Sequence, residues 1–342
     1  MITFIDARCE MRGKATGRRA KLGNARCEVR FVHFLSLVLL ALFSLPSPLS
    51  AANKYDNPDT IFVARDGTGE FRTVNEAVEV CRAFMEYHKV IFVKKGVYKE
   101  KVIIPSWLTN IELCGEDAKK TIITYDDHAN INKMGTFRTY TLKVEGSDIT
   151  VKNITIENNA AKLGQAVALH TEGNNLTFIG CRFLGNQDTV YTGVGETKLL
   201  FKDCYIEGTT DFIFGPSTAW FEHCTIHSKA DSYITAASTP KGVKYGYVFN
   251  NCTLTAEPNV TKVYLGRPWR QYAHTLFMNC HLGKHIVPAG WQKWSNKDNL
   301  TTTRYEEYNN DGEGANTSQR VVWSRQLTKK EAKEITIEKV LK

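Results

Sequence analysis

The hexad FKDCYI, at Phe201–Ile206, decides the fold because variants of it recur along the chain. The shared pattern is Phe-x-x-Cys-x-apolar, and successive cysteines are 23, 20, 28 and 28 residues apart. The copies are FIGCRF at Phe178–Phe183, FKDCYI itself, FEHCTI at Phe221–Ile226, FNNCTL at Phe249–Leu254 and FMNCHL at Phe277–Leu282. A weaker copy, VKNITI at Val151–Ile156, precedes them.

Each hexad alternates apolar and polar residues and is rich in strand formers, so we predict a strand in each copy. A strand that returns every 20–28 residues, with no helical pattern between copies, is typical of a solenoid of parallel strands. We therefore expect an all-β fold, a single-stranded parallel β-helix with short capping helices at its ends. The helical patterns lie at Thr73–Glu86 and Lys329–Leu341, whereas residues 296–320 are polar and predict a long surface loop.

The repeated cysteines should stack in the interior, one in each coil, about 4.8 Å apart. Parallel side chains meet the torsion of a disulfide poorly, so we expect free, buried thiols at Cys181, Cys204, Cys224, Cys252 and Cys280. A metal site would need close pairs such as Cys-x-x-Cys, and the sequence has none.

The N-terminal region carries a different signal. Arg26 and Arg30 precede the apolar run Phe31–Leu45, and small residues follow, which is the pattern of a secretory signal peptide. We expect residues 1–52 to be a leader cleaved near Ala51 or Ala52, and residues 53–342 to form one domain. The leader holds eight Lys/Arg and three Asp/Glu of a chain whose net charge is +8, so the remainder is only mildly basic. That surplus does not indicate nucleic-acid binding.

A second repeat is polar where a core should be apolar. QAVAL, DTVYT and DFIFG begin at Gln165, Asp188 and Asp211, at intervals of 23 residues. Equal spacing predicts equal register on three adjacent strands, with the two carboxylates close enough to separate their pKa values. The alternative is turn chemistry, since Asp is common where a strand begins. Asp231 opens DSYIT one coil later, and spacing alone nominates it as well.

A possible cationic partner lies in GRPWR, after the strand pattern Val263–Leu265. Arg267 precedes a proline, which favours an extended backbone, and its guanidinium can pair with a carboxylate through two hydrogen bonds. Trp269 offers an aromatic face beside it. An Arg in a turn is usually solvated, so this motif is weak by itself.

These residues lie in blocks that resemble the pectinesterase family. The blocks are GVYKE at Gly96–Glu100, QAVAL at Gln165–Leu169, GNQDT at Gly185–Thr189, GTTDFIFG at Gly208–Gly215 and LGRPW at Leu265–Trp269. They occur in the family's order, and the resemblance extends over most of residues 58–342. YITAAST, at Tyr233–Thr239, looks more like bacterial members than plant ones, and His170 stands where plant members usually have Arg.

The resemblance implies a right-handed parallel β-helix and a carboxylic ester hydrolase that removes methyl esters from C6 of galacturonate units in pectin. By position, Asp211 would be the nucleophile and Asp188 the general acid and base, with Arg267 orienting Asp211. Gln165 and Gln187 would stabilise the oxyanion. Thr136 and Trp269 would bind substrate together with Gln165 and Arg267. Strict strand alternation turns Gln187 away from Asp188, so this assignment requires a bend.

The resemblance further implies methyl-esterified homogalacturonan as partner, in pectin degradation or cell wall modification, and no cofactor or metal. We expect a secreted or periplasmic monomer that does not stay on the membrane after leader cleavage. Two rivals remain at this stage. The first is another β-helix carbohydrate enzyme: a pectate lyase would need a calcium site, and a polygalacturonase would need a further aligned Asp pair. The second is a non-catalytic solenoid that binds polysaccharide, which would not need Gln165, Asp188, Asp211 and Arg267 to be intact.

Overall fold

The computed structural model describes residues 53–295 and 300–342. Within these residues, parallel strands form three sheets, here called A, B and C, around one hydrophobic core. The chain passes from sheet A to sheet B to sheet C and then returns to sheet A, and each such circuit is one coil. The predicted parallel β-helix is confirmed.

Sheet A contains, in spatial order, Ile61–Val63, Lys89–Val93, Ile111–Gly115, Thr150–Lys152, Leu176–Ile179, Lys198–Lys202, Thr218–Glu222, Tyr247–Asn250, His274–Met278, Arg304–Tyr308 and Arg325–Gln326. Sheet B contains Gly96–Lys99, Thr121–Tyr125, Thr155–Asn158, Arg182–Leu184, Tyr205–Gly208, Thr225–Ser228, Thr253–Ala256 and His281–Leu282. Sheet C contains Val102–Ile104, Leu142–Val144, Leu169–Thr171, Val190–Thr192, Ile213–Gly215, Tyr233–Ala237 and Tyr264–Gly266.

Short helices complete the described part. The α-helices are Val74–Glu79, Lys329–Lys333 and Ile337–Leu341, and the 3₁₀ helices are Ile131–Lys133, Thr136–Arg138, Leu300–Thr302 and Glu313–Ala315. Thr73 caps the first α-helix through a reciprocal pair of hydrogen bonds with Glu76, as the sequence predicted.

The prediction of one strand in each hexad is wrong in detail, because the hexad spans the corner between sheets A and B. Phe201 ends a sheet A strand, Cys204 lies at the corner, and Tyr205 begins a sheet B strand. Asp203 turns the chain with a φ of 54°. The equivalent residues of the other copies also have positive φ: Gly180, His223, Asn251 and Asn279. A left-handed residue bends the chain while both flanking apolar side chains still face the core, and Asn, Asp and Gly tolerate that conformation best.

The hexad phenylalanines pair in register across sheet A and stack inside the solenoid. Ring centroids are 4.7 Å apart for Phe201 and Phe221 and 4.3 Å for Phe221 and Phe249, with planes within 10° of parallel. The five hexad cysteines are buried beside them, unbridged, as predicted. Each thiol donates a weak hydrogen bond across the coils; that of Cys224 reaches the carbonyl of Phe201, 3.5 Å away.

The ends of the solenoid differ from the prediction in extent. The first helix stops at Glu79 rather than Glu86, since Cys81 turns into the core and Phe84 adopts a φ of 54°, which a helix does not allow. The C-terminal pattern is two helices, because Thr336 caps a new one. The predicted loop at residues 296–320 contains the sheet A strand Arg304–Tyr308, whose Glu306 and Glu307 are buried against arginines.

The predicted leader, residues 1–52, lies outside the described residues, so its cleavage stays a prediction. Among the residues that the structure does describe, no helix is both long enough and apolar enough to span a membrane.

Candidate active site

The two aspartates lie on adjacent coils, where the chain enters neighbouring strands of sheet C. Val190 pairs with Ile213, so Asp188, two residues before one strand, lies opposite Asp211, two residues before the next. The backbone N–H of Asp188 donates to the carbonyl of Thr210, which fixes this alignment. The alignment of Asp188 with Asp211, predicted from their spacing, is therefore found in the structure.

The predicted register of Gln165 is wrong by two residues. Leu169 pairs with Val190, an interval of 21 rather than 23, so Val167 and not Gln165 lies opposite Asp188. Gln165 lies two residues before Val167, in the segment that leads into the strand Leu169–Thr171. Its side chain nevertheless lines the same pocket as both aspartates, because the leading segments converge on one groove.

Both aspartates occupy the left-handed backbone region, with φ of 68° at Asp188 and 48° at Asp211. Non-glycine residues rarely adopt it, and such residues cluster at functional sites. The turn at Asp188 supplies the bend that the sequence required for Gln187, and Gln187 lines the pocket with its neighbour. Gly215 closes the second strand where a Cβ atom would lie 2.2 Å from the carbonyl oxygen of Thr192, so only glycine fits there.

Arg267 makes the bidentate pair with Asp211 that the sequence suggested. Its Nε lies 3.0 Å from Oδ1 of Asp211, and its Nη2 lies 2.6 Å from Oδ2. The guanidinium also makes cation–π contacts with two aromatic rings, since its carbon lies 4.0 Å from the ring centroid of Tyr233 and 4.0 Å from that of Trp294. The hydroxyl of Tyr233 donates to the side-chain oxygen of Gln292. These contacts hold the arginine, and through it the carboxylate, in one orientation.

Burial and charge separate the two carboxyl groups. Burial raises the pKa of Asp188 well above its usual range; the charge of Asp211 raises it further, and Arg267 opposes only weakly. Burial also raises the pKa of Asp211, but the hydrogen bonds and charge of Arg267 oppose that rise. Asp211 is therefore the group that ionises first, and Asp188 is the one that keeps a proton.

The pocket has a volume of about 250 Å³. Its walls come from seven segments of the chain that follow one another along the solenoid: Thr136, Phe137, Gln165, Gln187, Asp188, Asp211, Phe214, Ala236, Arg267, Trp269 and Trp294. All the residues to which the family resemblance gave a role are among them, whereas Asp231, which spacing alone nominated, is not. The groove thus crosses the coils instead of following one strand.

Sequence reasoning identified Trp269 but missed the other aromatic residues of this site. Phe137 packs on Tyr191 with ring centroids 4.7 Å apart, and Phe214 lies 5.9 Å from Trp269. Tyr233 could have been found from the register, because Ile213 pairs with Thr235 and so places Tyr233 opposite Asp211. Nothing in the sequence pointed to Trp294, which enters from beyond the last strand of sheet C.

The structure separates Asp231 from the site. Its carboxylate is exposed and accepts the backbone N–H groups of Thr261 and Lys262 at 2.8 and 2.9 Å. The register places Tyr233, not Asp231, beside Asp211. The further aligned Asp that a polygalacturonase would need is thus not supplied by this residue. In the described part of the chain, no group of three or more His, Cys, Asp or Glu is arranged to hold a metal ion.

Comparison with known proteins finds similar sequences and similar structures. The Pectinesterase family model matches residues 60–342. Pectinesterase 31 of Arabidopsis thaliana is 37% identical over 281 residues, which cover 79% of this chain and 88% of that protein. A probable pectinesterase/pectinesterase inhibitor 58 of the same plant is 36% identical over 291 residues. Those residues are 81% of this chain and 51% of that protein, so the chain spans about half the length of relatives of this kind.

Solved structures from several kingdoms have the same fold. A pectin methylesterase from carrot has a TM-score of 0.79 and 33% identity, with 83% of this chain and 93% of that one covered. The enzyme from Erwinia chrysanthemi has a TM-score of 0.71 and 28% identity, covering 83% and 97%. A pectin methylesterase in complex with hexasaccharide VII has a TM-score of 0.71 and 28% identity, covering 82% and 96%. Plant and bacterial proteins both occur among these matches.

Proposed function

Because the chain belongs to the pectinesterase family, we propose that it hydrolyses the methyl esters at C6 of galacturonate units in pectin, releasing methanol and pectate. The observation that carries the proposal is the Asp188–Asp211 pair on adjacent coils, with Arg267 bound to one member only. This asymmetry gives one ionised carboxylate and one protonated carboxyl group in a single groove, as an esterase without a serine nucleophile requires.

In the proposed mechanism, a carboxylate oxygen of Asp211 attacks the ester carbonyl carbon. The resulting tetrahedral oxyanion accepts hydrogen bonds from the side-chain amides of Gln165 and Gln187, which line the same pocket. Asp188 donates its proton to the departing methoxide. Loss of methanol converts the tetrahedral intermediate into an anhydride between Asp211 and the substrate. Asp188, now ionised, takes a proton from water, and the hydroxide attacks the anhydride and frees Asp211. No step calls for a cofactor.

The aromatic walls account for substrate binding in this proposal. Trp269 and Phe137 stand at opposite ends of the pocket, on coils either side of the aspartates. Thr136 adds a hydroxyl beside Phe137. Flat apolar faces suit the faces of sugar rings, whereas Arg267 and the glutamines contact the ester group itself.

Methanol release from methylated pectin by the purified protein tests the proposal. We expect methanol to appear without shortening of the polysaccharide, because no group at the site is assigned to the glycosidic bond. New reducing ends or unsaturated products without methanol would replace the proposal with a polygalacturonase or a pectate lyase. Binding without any turnover would support a non-catalytic solenoid.

Members of this family act on cell wall pectin, and we propose that this chain is exported to reach it. The support is the leader pattern of residues 1–52, with cleavage expected near Ala51 or Ala52. N-terminal sequencing of the protein from periplasm or medium tests it, and a product that retains Phe31–Leu45 would contradict it. We also propose that the cleaved protein is a monomer free of the membrane, which light scattering and fractionation measure.

A further inference from the structure

Resting on the proposed function, we propose that Glu145 and Glu172 form a subsite that favours methyl-esterified galacturonate over free galacturonate. The subsite lies on the two coils of sheet C that precede the coil of Asp188. It would decide which stretches of a partly de-esterified polymer the enzyme accepts.

The direction of the groove leads to these residues. The pocket crosses the coils, so a polymer that extends from it toward the N-terminal coils passes over the outer face of sheet C. One row of side chains on that face is defined by strand pairing: Phe214 with Tyr191, Tyr191 with His170, His170 with Lys143, and Lys143 with Ile103. Neighbours in such a row are about 4.8 Å apart. Glu145 and Glu172 flank the row, two residues after Lys143 and His170.

The charges at this position are unequal. Nζ of Lys143 lies 2.7 Å from Oε1 of Glu145 and 3.1 Å from Oε1 of Glu172, so one cation serves two carboxylates. Nε2 of His170 is 3.0 Å from the same Glu172 oxygen, but burial lowers the pKa of this histidine to about 4, and it is neutral above that pH. The group therefore carries one net negative charge.

The two carboxylates of this group are more exposed than its ammonium group, so they are the nearer charges for a ligand on the surface. The side chain of Lys143 is 16% exposed, whereas those of Glu145 and Glu172 are 27% and 39% exposed. A polymer in the groove thus meets the carboxylates before it meets the ammonium group. The half-buried ring of Tyr140 lies near both ammonium groups, its centroid 4.7 Å from Nζ of Lys101 and 5.9 Å from Nζ of Lys143, and it supplies apolar surface beside them.

These contacts distinguish the two forms of a galacturonate unit. A free carboxylate is repelled by these partly exposed glutamates, because like charges within a Debye length of about 8 Å are only partly screened. A methyl ester has no charge, and its methyl group can pack on the ring of Tyr140. At the opposite end of the pocket, the exposed guanidinium of Arg270 lies 4.6 Å from the ring of Trp269 and suits the free carboxylate of a product unit.

The test compares two substrates: a highly esterified pectin, and the same pectin after random de-esterification with alkali. For the wild type, we expect a higher KM per ester on the second substrate. In the double variant Glu145→Gln and Glu172→Gln, the ratio of the two KM values should fall about two- to fivefold, the scale of an exposed charge interaction. Raised ionic strength should lower the ratio in the wild type and leave it nearly constant in the variant.

Glu257→Gln is the matched control. Its carboxylate also pairs with a histidine, with Oε1 3.4 Å from Nε2 of His227, but Glu257 follows the sheet B strand Thr253–Ala256 instead of a sheet C strand. We expect its KM ratio to equal that of the wild type. A wild-type ratio in the double variant, with a normal melting temperature, would overturn the inference while leaving the esterase proposal intact. If the double variant melts early, Glu172→Gln alone gives the same comparison. No methanol from either pectin would refute the proposed function itself.

Discussion

At the corner between sheets A and B and on the outer face of sheet C, the solenoid brings like residues together in the same way. At the corner, a left-handed residue follows the sheet A strand in each of the five hexads, and phenylalanines and cysteines stack behind it. On sheet C, left-handed residues precede two strands, and these residues are Asp188 and Asp211 themselves. The backbone conformation is shared, but the first set stabilises the fold and the second set, by our proposal, performs the chemistry.

The difference between the two regions lies in which side chain occupies the buried position. Stacked aromatic rings gain dispersion and burial energy from every neighbour. Stacked carboxyl groups gain nothing unless one is neutral or paired, and here Arg267 pairs with only one of them. Repetition therefore stabilises the corner, whereas at the site it creates the unequal pKa values that acid–base chemistry needs.

Asp211→Asn should produce the largest effect in either region. The variant removes the nucleophile, so methanol release should fall to the level of a blank reaction. Asn is nearly isosteric, but it leaves the charge of Arg267 without its carboxylate, and the melting temperature should fall somewhat. Initial rates of methanol release, with thermal melting of the same sample, check both expectations.

Asp231→Asn is its control, since this aspartate opens the next strand segment of sheet C but binds only backbone N–H groups. It should keep wild-type turnover. If Asp231→Asn were as inactive as Asp211→Asn and melted normally, the assignment of the catalytic pair would be wrong, and the polygalacturonase hypothesis would gain support.

Asp188→Asn should reduce the rate less completely. It removes the proton donor and base but leaves the nucleophile, the glutamines and Arg267 in place. General acid–base groups typically contribute about 10²–10⁴-fold, so the turnover number should fall within that range. A substrate with a better leaving group than methoxide needs less protonation, and its rate should fall less. Equal losses on both substrates would argue against a proton-donor role.

The corner was largely predictable from the sequence and the site only partly. The hexads identified the solenoid and the buried cysteines because Phe and Cys recur at equivalent positions in five successive coils. They did not show that the residue before each cysteine turns the chain, since strict alternation of apolar and polar residues is equally typical of one continuous strand. Buried charges were also missed: RYEEY, at Arg304–Tyr308, looked like a loop, although Arg320 and Arg325 pair with its glutamates.

At the site, spacing predicted the Asp188–Asp211 alignment because the two coils have equal length. It failed for Gln165, where the preceding coil is two residues shorter in register. Trp294 could not be predicted, because its contact with Arg267 depends on how a terminal segment folds back over sheet C. Resemblance to a family supplied the roles that spacing alone left open.

Phe221→Ala tests the corner with a smaller expected effect, on stability rather than turnover. The ring stacks between Phe201 and Phe249 and is fully buried, so its removal leaves a cavity. We expect a loss of about 3–5 kcal/mol in the free energy of unfolding. Phe84→Ala, at a ring that is 74% exposed, should cost far less. Denaturant unfolding measures both, and equal losses would contradict the stacked-core interpretation.

The smallest expected effect is a pH dependence of stability that only the carboxylate pair should show. The pKa of Asp188 is raised in the folded protein, mainly by burial and then by the charge of Asp211. A raised carboxyl pKa means that the folded state holds its proton more tightly than the unfolded state. Stability from this group is therefore fully present below the unfolded pKa and is lost as pH rises through the folded pKa.

Asp188→Asn has no such proton to lose, so it isolates the contribution. At acidic pH its free energy of unfolding should resemble that of the wild type, and as pH rises it should become the more stable of the two. Asp211 titrates in both proteins and so largely cancels in the difference. The deficit of Phe221→Ala, which involves no charge, should stay constant over the same range. Unfolding curves across pH for all three proteins measure these free energies of unfolding. If the difference between Asp188→Asn and the wild type stayed constant with pH, ionised Asp188 would not be destabilising. Its burial and the neighbouring charge of Asp211 would then have no energetic consequence.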